Sequence, residues 1–391
     1  MTRRRRLVVL GMMGRGPWGG QTWLYLNWLR GLVGLGHDVW YVEDDTVWPY
    51  DPEREAVGDD CGYAVQHVAA SLERIGLADR WAFRLADRAG ACWGLSPSAL
   101  AELYGSCDAL LNVGGAVELR EEHLVVPLRV YVETDPVTAE LRLAAGDEHT
   151  RRAFAAHHVL ATYGENYGAA DCGVPPPGQA WVTTRQPIDL TLWPAAFTPD
   201  APCYTTIGNY RQRGGDVVLG GEVYRWSKHH EWEKFVDLPR RTGRRFEVAL
   251  NVDDAGDRAR LASHGWRVVS PLEFSRDVFG GYPAFIRCSR AEFTVAKDQN
   301  VRLRSGWFSE RDACYLASGK PVIAQDTGFG AALPVGAGLF AVRGLEDAVE
   351  AVRAVEGDYP AHCRAARRLA EECFEARAVA ARLLADVGLG G

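Results

Sequence analysis

No run in this sequence approaches the roughly 20 apolar residues that a membrane-crossing helix needs, and no two cysteines stand in a Cys-x-x-Cys pair. The first absence removes an integral membrane span from the expected architecture. The second matters because nine cysteines are present, at 61, 92, 107, 172, 203, 288, 314, 363 and 373. An odd, dispersed set of this kind reads as reduced thiols, not as a disulfide framework or a zinc site. An excess of positive charge is missing too. The 44 Lys and Arg residues against 51 Asp and Glu leave a formal charge of −7, which argues against nucleic acid as the main partner, because that requires a broad basic face. His230 and Glu231 begin like a zinc-protease helix, but Lys234 stands where the second histidine would be, so no metal site is expected. Four arginines occupy 3–6, yet the apolar run at 7–10 is too short for a signal-peptide core and leads into a glycine-rich loop without a small-residue cleavage site. A cytoplasmic protein is the expectation.

What is present is enough chain for two cores. A single hydrophobic core stops growing well short of 391 residues. Composition shifts at the Val-Pro-Pro-Pro-Gly run of 174–178 and again over 187–202, which holds four prolines. Proline fixes φ and removes a ladder hydrogen bond, so this stretch reads as an extended connector. The boundary is placed near 195, giving domains 1–195 and 196–391.

The first half opens with an apolar strand at 7–11, a loop containing Gly14, Gly16, Gly19 and Gly20, a helix at 22–35 and a strand at 38–42. That is the βαβ start of a doubly wound α/β domain. The loop does not fit G-x-G-x-x-G, so turn geometry stands beside ligand approach as a reason for its glycines. Glu43, Asp44 and Asp45 follow the second strand and read as a solvated loop more readily than as a metal site. Trp48, Pro49, Tyr50, Asp51 and Pro52 mark irregular structure with an aromatic surface suited to stacking on a sugar or an aglycone. Helices are expected at 64–75 and 98–104, and strands at 108–113, 129–132 and 157–162. The strand at 129–132 delivers Glu133 and Asp135 to the carboxyl end of the sheet, where ligands of parallel sheets bind. Asp135 is the first candidate for a catalytic base and Glu133 the second; the competing reading has Asp135 capping a helix at 137–143.

The second half restarts with a strand at 204–207 and a loop holding Asn209 and Arg211. A helix is expected over 224–235, burying Trp226 and Trp232, with strands at 246–250 and 266–269 and a terminal pair of alanine-rich helices at 346–355 and 361–384. The most informative stretch is 291–329. It reads as a strand (291–295), a polar loop with Lys297, Arg302, Arg304, Ser305, Gly306 and Ser309, a helix (310–318), and a strand (320–325) ending in Asp326, Thr327 and Gly328. The amide groups at a helix start carry partial positive charge and have no partners inside the helix, so a phosphate can complete them.

The segments Ser305, Gly306, Trp307, Phe308, Ser309 and Arg311, then Tyr-Leu-Ala-Ser-Gly-Lys-Pro-Val at 315–322, then Asp326, Thr327, Gly328 and Phe329 together resemble the donor half of a GT-B glycosyltransferase, in particular the bacterial CgeB-like subfamily. The Gly-His-Asp-Val run at 36–39 and the Asp-Pro at 135–136 are similar to features of the same group. The resemblance implies two Rossmann-like doubly wound domains facing across a cleft, with the last helix crossing back to the first domain. It implies a nucleoside diphosphate sugar as donor substrate, a small-molecule or glycan acceptor on the first domain, and no separate cofactor. Lys297, Arg311, Asn209 and Arg211, with the glycine loop of Gly16 and Gly19, would face the donor, and residues 326–329 its sugar hydroxyls. Pro271, Leu272 and Glu273 fall where a nucleotide base is held in this fold. Metal independence agrees with the missing Asp-x-Asp motif. The paired glutamates of many retaining members are absent, their positions being Gly306 and Cys314. A nucleotide-sugar epimerase and a non-catalytic nucleotide-sugar or glycan binder remain as alternatives.

Overall fold

The computed structural model describes residues 3–88 and 91–390 and contains two large sheets, one in each lobe. In the first lobe the strands lie in the order Trp181–Thr183, Val159–Thr162, Arg129–Glu133, Ala109–Val113, Arg6–Leu10, Asp38–Asp45, Trp81–Leu85 and Cys92–Trp93. They pair in parallel except at the last junction. In the second lobe the order is Trp266–Val269, Arg245–Asn251, Cys203–Asn209, Ala291–Thr294, Val322–Gln325 and Leu339–Val342, parallel throughout. Each chain segment winds from its first strand to one edge, returns, and winds to the other edge. This is the doubly wound arrangement, whose ligand crevice lies beyond the carboxyl ends of the strands where the order reverses.

Strands covered by helices on both faces must be apolar on both faces, and Leu7, Val8, Val9 and Leu10 are all fully buried. The helix Gly19–Gly34 is buried on nearly every side because it is sandwiched. The last helix, Ala376–Asp386, lies against it so closely that a Cβ on Gly31 would sit 2.5 Å from the Ala376 carbonyl oxygen. The carboxyl-terminal helix therefore crosses back onto the first lobe. Both passages of the chain between the lobes meet beside it. Ile188 donates its amide to the Phe374 carbonyl at 2.7 Å, and Ala376 donates to the Ile188 carbonyl at 3.0 Å. The first sheet ends at Thr183 and the second begins at Cys203; we propose residue 195, within that crossing, as the domain boundary. Among the described residues no helix is long and apolar enough to cross a membrane.

Four local expectations need correction. Glu43 and Asp44 belong to the strand Asp38–Asp45 and are buried, not solvated. Glu43 accepts from the amides of Gly14 (2.5 Å) and Arg15 (3.1 Å) and from the Tyr41 hydroxyl (2.7 Å), so it holds the glycine-rich loop in place. Asp44 is enclosed by Arg84, Arg120, Tyr104 and His123. The helix expected at 224–235 starts only at His229, after a hairpin of Val217–Leu219 and Glu222–Tyr224; Trp232 is buried, but Trp226 is only half-buried. The polar loop after residue 295 contains a helix, Asp298–Arg302. The chain ends in three helices, Leu345–Gly357, Tyr359–Cys373 and Ala376–Asp386, because the backbone breaks at 374–375 to cross between lobes.

Candidate functional site between the lobes

A cleft of about 690 Å³ opens where the carboxyl ends of both sheets face each other. From the first lobe Trp18, Gln21, Leu24, Tyr50, Asp135 and Tyr163 line it; from the second come Asn209, Lys228, Lys297, Trp307 and the helix start Ser309, Glu310 and Arg311. Pro271 and Leu272 form one end together with Asn251, whereas Glu273 faces a separate cavity of about 730 Å³ on the second lobe.

The helix Glu310–Ala317 begins at Ser309 without a side-chain cap, so its first amides remain available. An acidic first turn would ordinarily repel an anion. Here the two acids of that turn are both accounted for: burial pushes the Glu310 carboxyl up to about 8, with the Asn27 amide donating to it at 2.9 Å, and Asp312 is paired with Arg311 at 2.9 Å. Arg311 faces the cleft but is already engaged: it donates to Glu292 (2.5 Å), to the Ile207 carbonyl (2.9 Å), to Thr294 (2.8 Å) and to Asp312 (2.9 Å). Burial disfavours its charge, yet the carboxylates of Glu292 and Asp312 outweigh burial and hold the guanidinium above its ordinary range. It is a fixed positive floor, not a free arm.

Lys228 and Lys297 are the cations at the cleft surface. Lys297 is buried and forms an ion pair with Asp135 across the cleft, its ammonium lying over the Trp226 ring. Burial lowers its pKa while Asp135 opposes the shift. Lys228 stands just before the helix His229–Trp232, 5.2 Å from the centre of the Trp307 ring. Desolvation, reinforced by Arg311 and Lys297, pulls its pKa down to about 7. At that value the neutral amine is within reach, and an arriving anion favours its protonation.

The remaining sequence candidates separate by position. Asn209 reaches the cleft, but Arg211 turns outward and pairs with Asp257. Ser305 is wholly buried, donating to Asn300 at 2.7 Å and accepting from the Trp307 amide at 3.2 Å. Gly306 sits against the first lobe with φ +79°, where a Cβ would lie 2.3 Å from the Asn166 amide nitrogen. These two residues therefore stitch the lobes together instead of facing a ligand: Asn166 donates to the Ser305 carbonyl and Gly173 to that of Leu303. Phe308 packs on Phe329 and Phe374. Asp326 is drawn away to Arg304 and Arg343, Thr327 donates to the Trp307 carbonyl at 2.6 Å, and Gly328 and Phe329 begin a short 3₁₀ turn. Residues 326–329 thus support the 305–308 loop from behind and do not reach the cleft. Gly16 lies in the loop beneath; Gly19 lets Tyr282 of the second lobe approach, a Cβ there falling 2.6 Å from its ring.

Of the two carboxylate candidates, only Asp135 enters the cleft. Glu133 is the last residue of its strand, and its side chain points to the interior, accepting from Thr162 at 2.7 Å beside Glu140. Burial and the neighbouring Glu140 raise its pKa well above the ordinary carboxylate range, and one of its oxygens has no hydrogen-bond partner. It cannot meet an acceptor from there. The helix-cap reading of Asp135 is also set aside, because the following helix, Thr138–Ala144, begins at Val137 with no contribution from Asp135. Lys228, Glu310 and Asn251 were missed from sequence. A lysine set between Trp226 and Trp232 was a usable signal; the neutralisation of Glu310 depends on packing against the first lobe and left none.

No protein-family model and no curated protein sequence matches the chain. Among solved structures it is similar to sucrose-phosphate synthase from Thermosynechococcus elongatus, at 11% identity and TM-score 0.56 over 97% of each chain. It is similar as well to AviGT4, a glycosyltransferase involved in avilamycin A biosynthesis, at 13% identity and TM-score 0.52 over 99% of this chain and 98% of that one. Anabaena HepE in complex with UDP-glucose aligns at 10% identity and TM-score 0.57, over 98% of this chain and 100% of that one. At such identities the likeness speaks to architecture. Two Rossmann-like doubly wound lobes, a cleft between their strand ends and a last helix returned to the first lobe make this a GT-B fold.

Proposed function

We propose that the protein is a glycosyltransferase that moves a sugar from a nucleoside diphosphate sugar to a hydroxyl of a small-molecule or glycan acceptor, within or near the CgeB-like group. The observation that carries this reading is the uncapped helix start at Ser309 facing an interlobe cleft beside Lys228 and Lys297. The donor diphosphate would lie against those amides and cations, its base toward Asn251, Pro271 and Leu272. UDP-glucose in the similar HepE structure supports a donor of this class. Trp18 and Tyr50, with ring centres 5.1 Å apart on the first lobe, offer an aromatic wall for the acceptor.

In the reaction the acceptor oxygen bonds to the anomeric carbon as the bond from that carbon to the diphosphate oxygen breaks, and the electron pair leaves with the diphosphate. Lys228, Lys297 and the helix amides stabilise the charge that appears there, a kind of contact whose loss costs about 10² to 10³ in rate. If configuration inverts, Asp135 takes the acceptor's proton, a contribution of roughly 10²–10⁴. Two lysines and a helix start can neutralise the leaving group without a metal, and we propose metal-independent transfer on that basis.

The test is nucleoside diphosphate release from UDP-, GDP- and dTDP-sugars, with and without candidate acceptors. Acceptor-dependent release supports transfer. Formation of a new nucleotide sugar would establish the epimerase instead, and binding without turnover would establish the non-catalytic binder.

A further inference from the structure

Asp135 and Lys297 come from different lobes and meet at the place where a donor would sit. Asp135 follows the strand Arg129–Glu133, and Lys297 follows Ala291–Thr294, the strand beside the reversal point of the second sheet. Their charged atoms are in direct contact. The lysine side chain is only 5% exposed and the aspartate side chain 39%, so the cation is fixed and its partner is the removable member. The second Asp135 oxygen is shielded from solvent and has no hydrogen-bond partner, so the lysine contact is what holds this carboxylate. Lys228 rests on an aromatic ring nearby, and Arg311 is saturated by Glu292, Asp312, Ile207 and Thr294.

We infer that Asp135 serves as the resident counterion of the cleft, which an incoming diphosphate displaces from Lys297. The inference rests on the nucleotide-sugar reading above and adds a sequence of events to it. Two anions cannot share one buried ammonium at full strength, since each weakens the other's hold, and the diphosphate has several oxygens and the neighbouring amides to outcompete one carboxylate. Until the donor arrives, the Lys297 ammonium occupies the Asp135 oxygen that would take a proton. Once displaced it is free beside the acceptor wall. Donor binding and activation of the base become one event, and an acceptor entering first finds no base.

The reciprocal consequence is unusual for a residue that lines a binding site: removing its charge should improve nucleotide binding. Calorimetric titration of the full chain with UDP, GDP and dTDP would compare wild type, Asp135→Asn and Asp135→Glu. Asp135→Asn is expected to bind the preferred nucleotide tighter, within the 5- to 150-fold range typical of coupled sites, while Asp135→Glu, which keeps the competing charge, stays near wild type. Asp135→Ser is the second variant, expected to tighten likewise should the asparagine fail to fold. Measurable wild-type binding that is unchanged or weakened in both neutral variants would overturn the inference and leave the nucleotide reading standing. Absence of binding to every nucleotide in wild type and variants would overturn the nucleotide reading, and this inference with it.

Discussion

The indole N–H of Trp307 donates to the carbonyl oxygen of Thr134 across the cleft, at 3.0 Å. One hydrogen bond thus fixes the platform beneath Lys228 to the residue preceding Asp135. Trp307→Phe keeps an aromatic ring and removes the bond; a loss of about 1 kcal/mol in stability is expected, seen as a lowered thermal midpoint. Trp307→Ala also removes the surface on which Lys228 lies, and nucleotide affinity should fall with it in calorimetry.

Lys228 predicts a pH dependence. Only its protonated form attracts a diphosphate, and its pKa in the unliganded protein is drawn down to about 7 by burial and by Arg311 and Lys297. Affinity for the nucleotide should therefore weaken as the pH rises above 7, and binding near pH 8 should take up a proton. Calorimetry in buffers of different ionisation enthalpy measures that uptake, which Lys228→Met should abolish. The same shift affects folding with a definite sign. Between about 7 and the ordinary lysine value of 10.5 the unfolded chain holds the proton more tightly, so native stability rises with pH across that window.

Glu133 and Glu140 predict the opposite slope. Burial raises both carboxyls in the native state, and Glu140 adds to the rise at Glu133, so the native protein holds protons that the unfolded chain has released above the ordinary value of 4.5. Stability contributed by this pair is full below that value and is lost as the pH rises through the native range. Glu133→Gln should flatten the decline in unfolding free energy as the pH rises above the ordinary carboxylate value of 4.5, and it should leave nucleotide binding unaffected because the side chain is outside the cleft.

Gly306→Ala tests the seam between the lobes. Its left-handed backbone, and an Asn166 amide nitrogen only 2.3 Å from the place an alanine methyl would take, leave no room. The combined cost of conformation and overlap is about 2–5 kcal/mol. Gly20→Ala is the contrasting control, since its nearest atom is the movable Tyr282 hydroxyl at 3.3 Å. Chemical denaturation should separate the two variants clearly.

The fold was legible because doubly wound sheets announce themselves locally. The apolar strand at the start, the glycine loop after it and the Ser-Gly-Lys-Pro-Val turn into the strand Val322–Gln325 each reflect nearest-neighbour physics. The site was legible only in part. Asp135, Lys297 and Ser309 could be named because they follow strand ends or precede a helix. Ser305, Gly306 and residues 326–329 look like ligand loops by composition, and it takes the tertiary structure to reveal that Asn166 of the opposing lobe, with Trp307 and Arg304 of their own, occupy their polar groups. Glu43 and Asp44 show the same limit in reverse. Their acidity suggested water, whereas Gly14, Arg15, Arg84 and Arg120, distant in sequence, supply the partners that make burial tolerable.

Ile188 tied on both sides to 374 and 376 has a mechanical outcome. Because the outgoing and returning chain passages are laced together here, neither can slide along the other without breaking both hydrogen bonds.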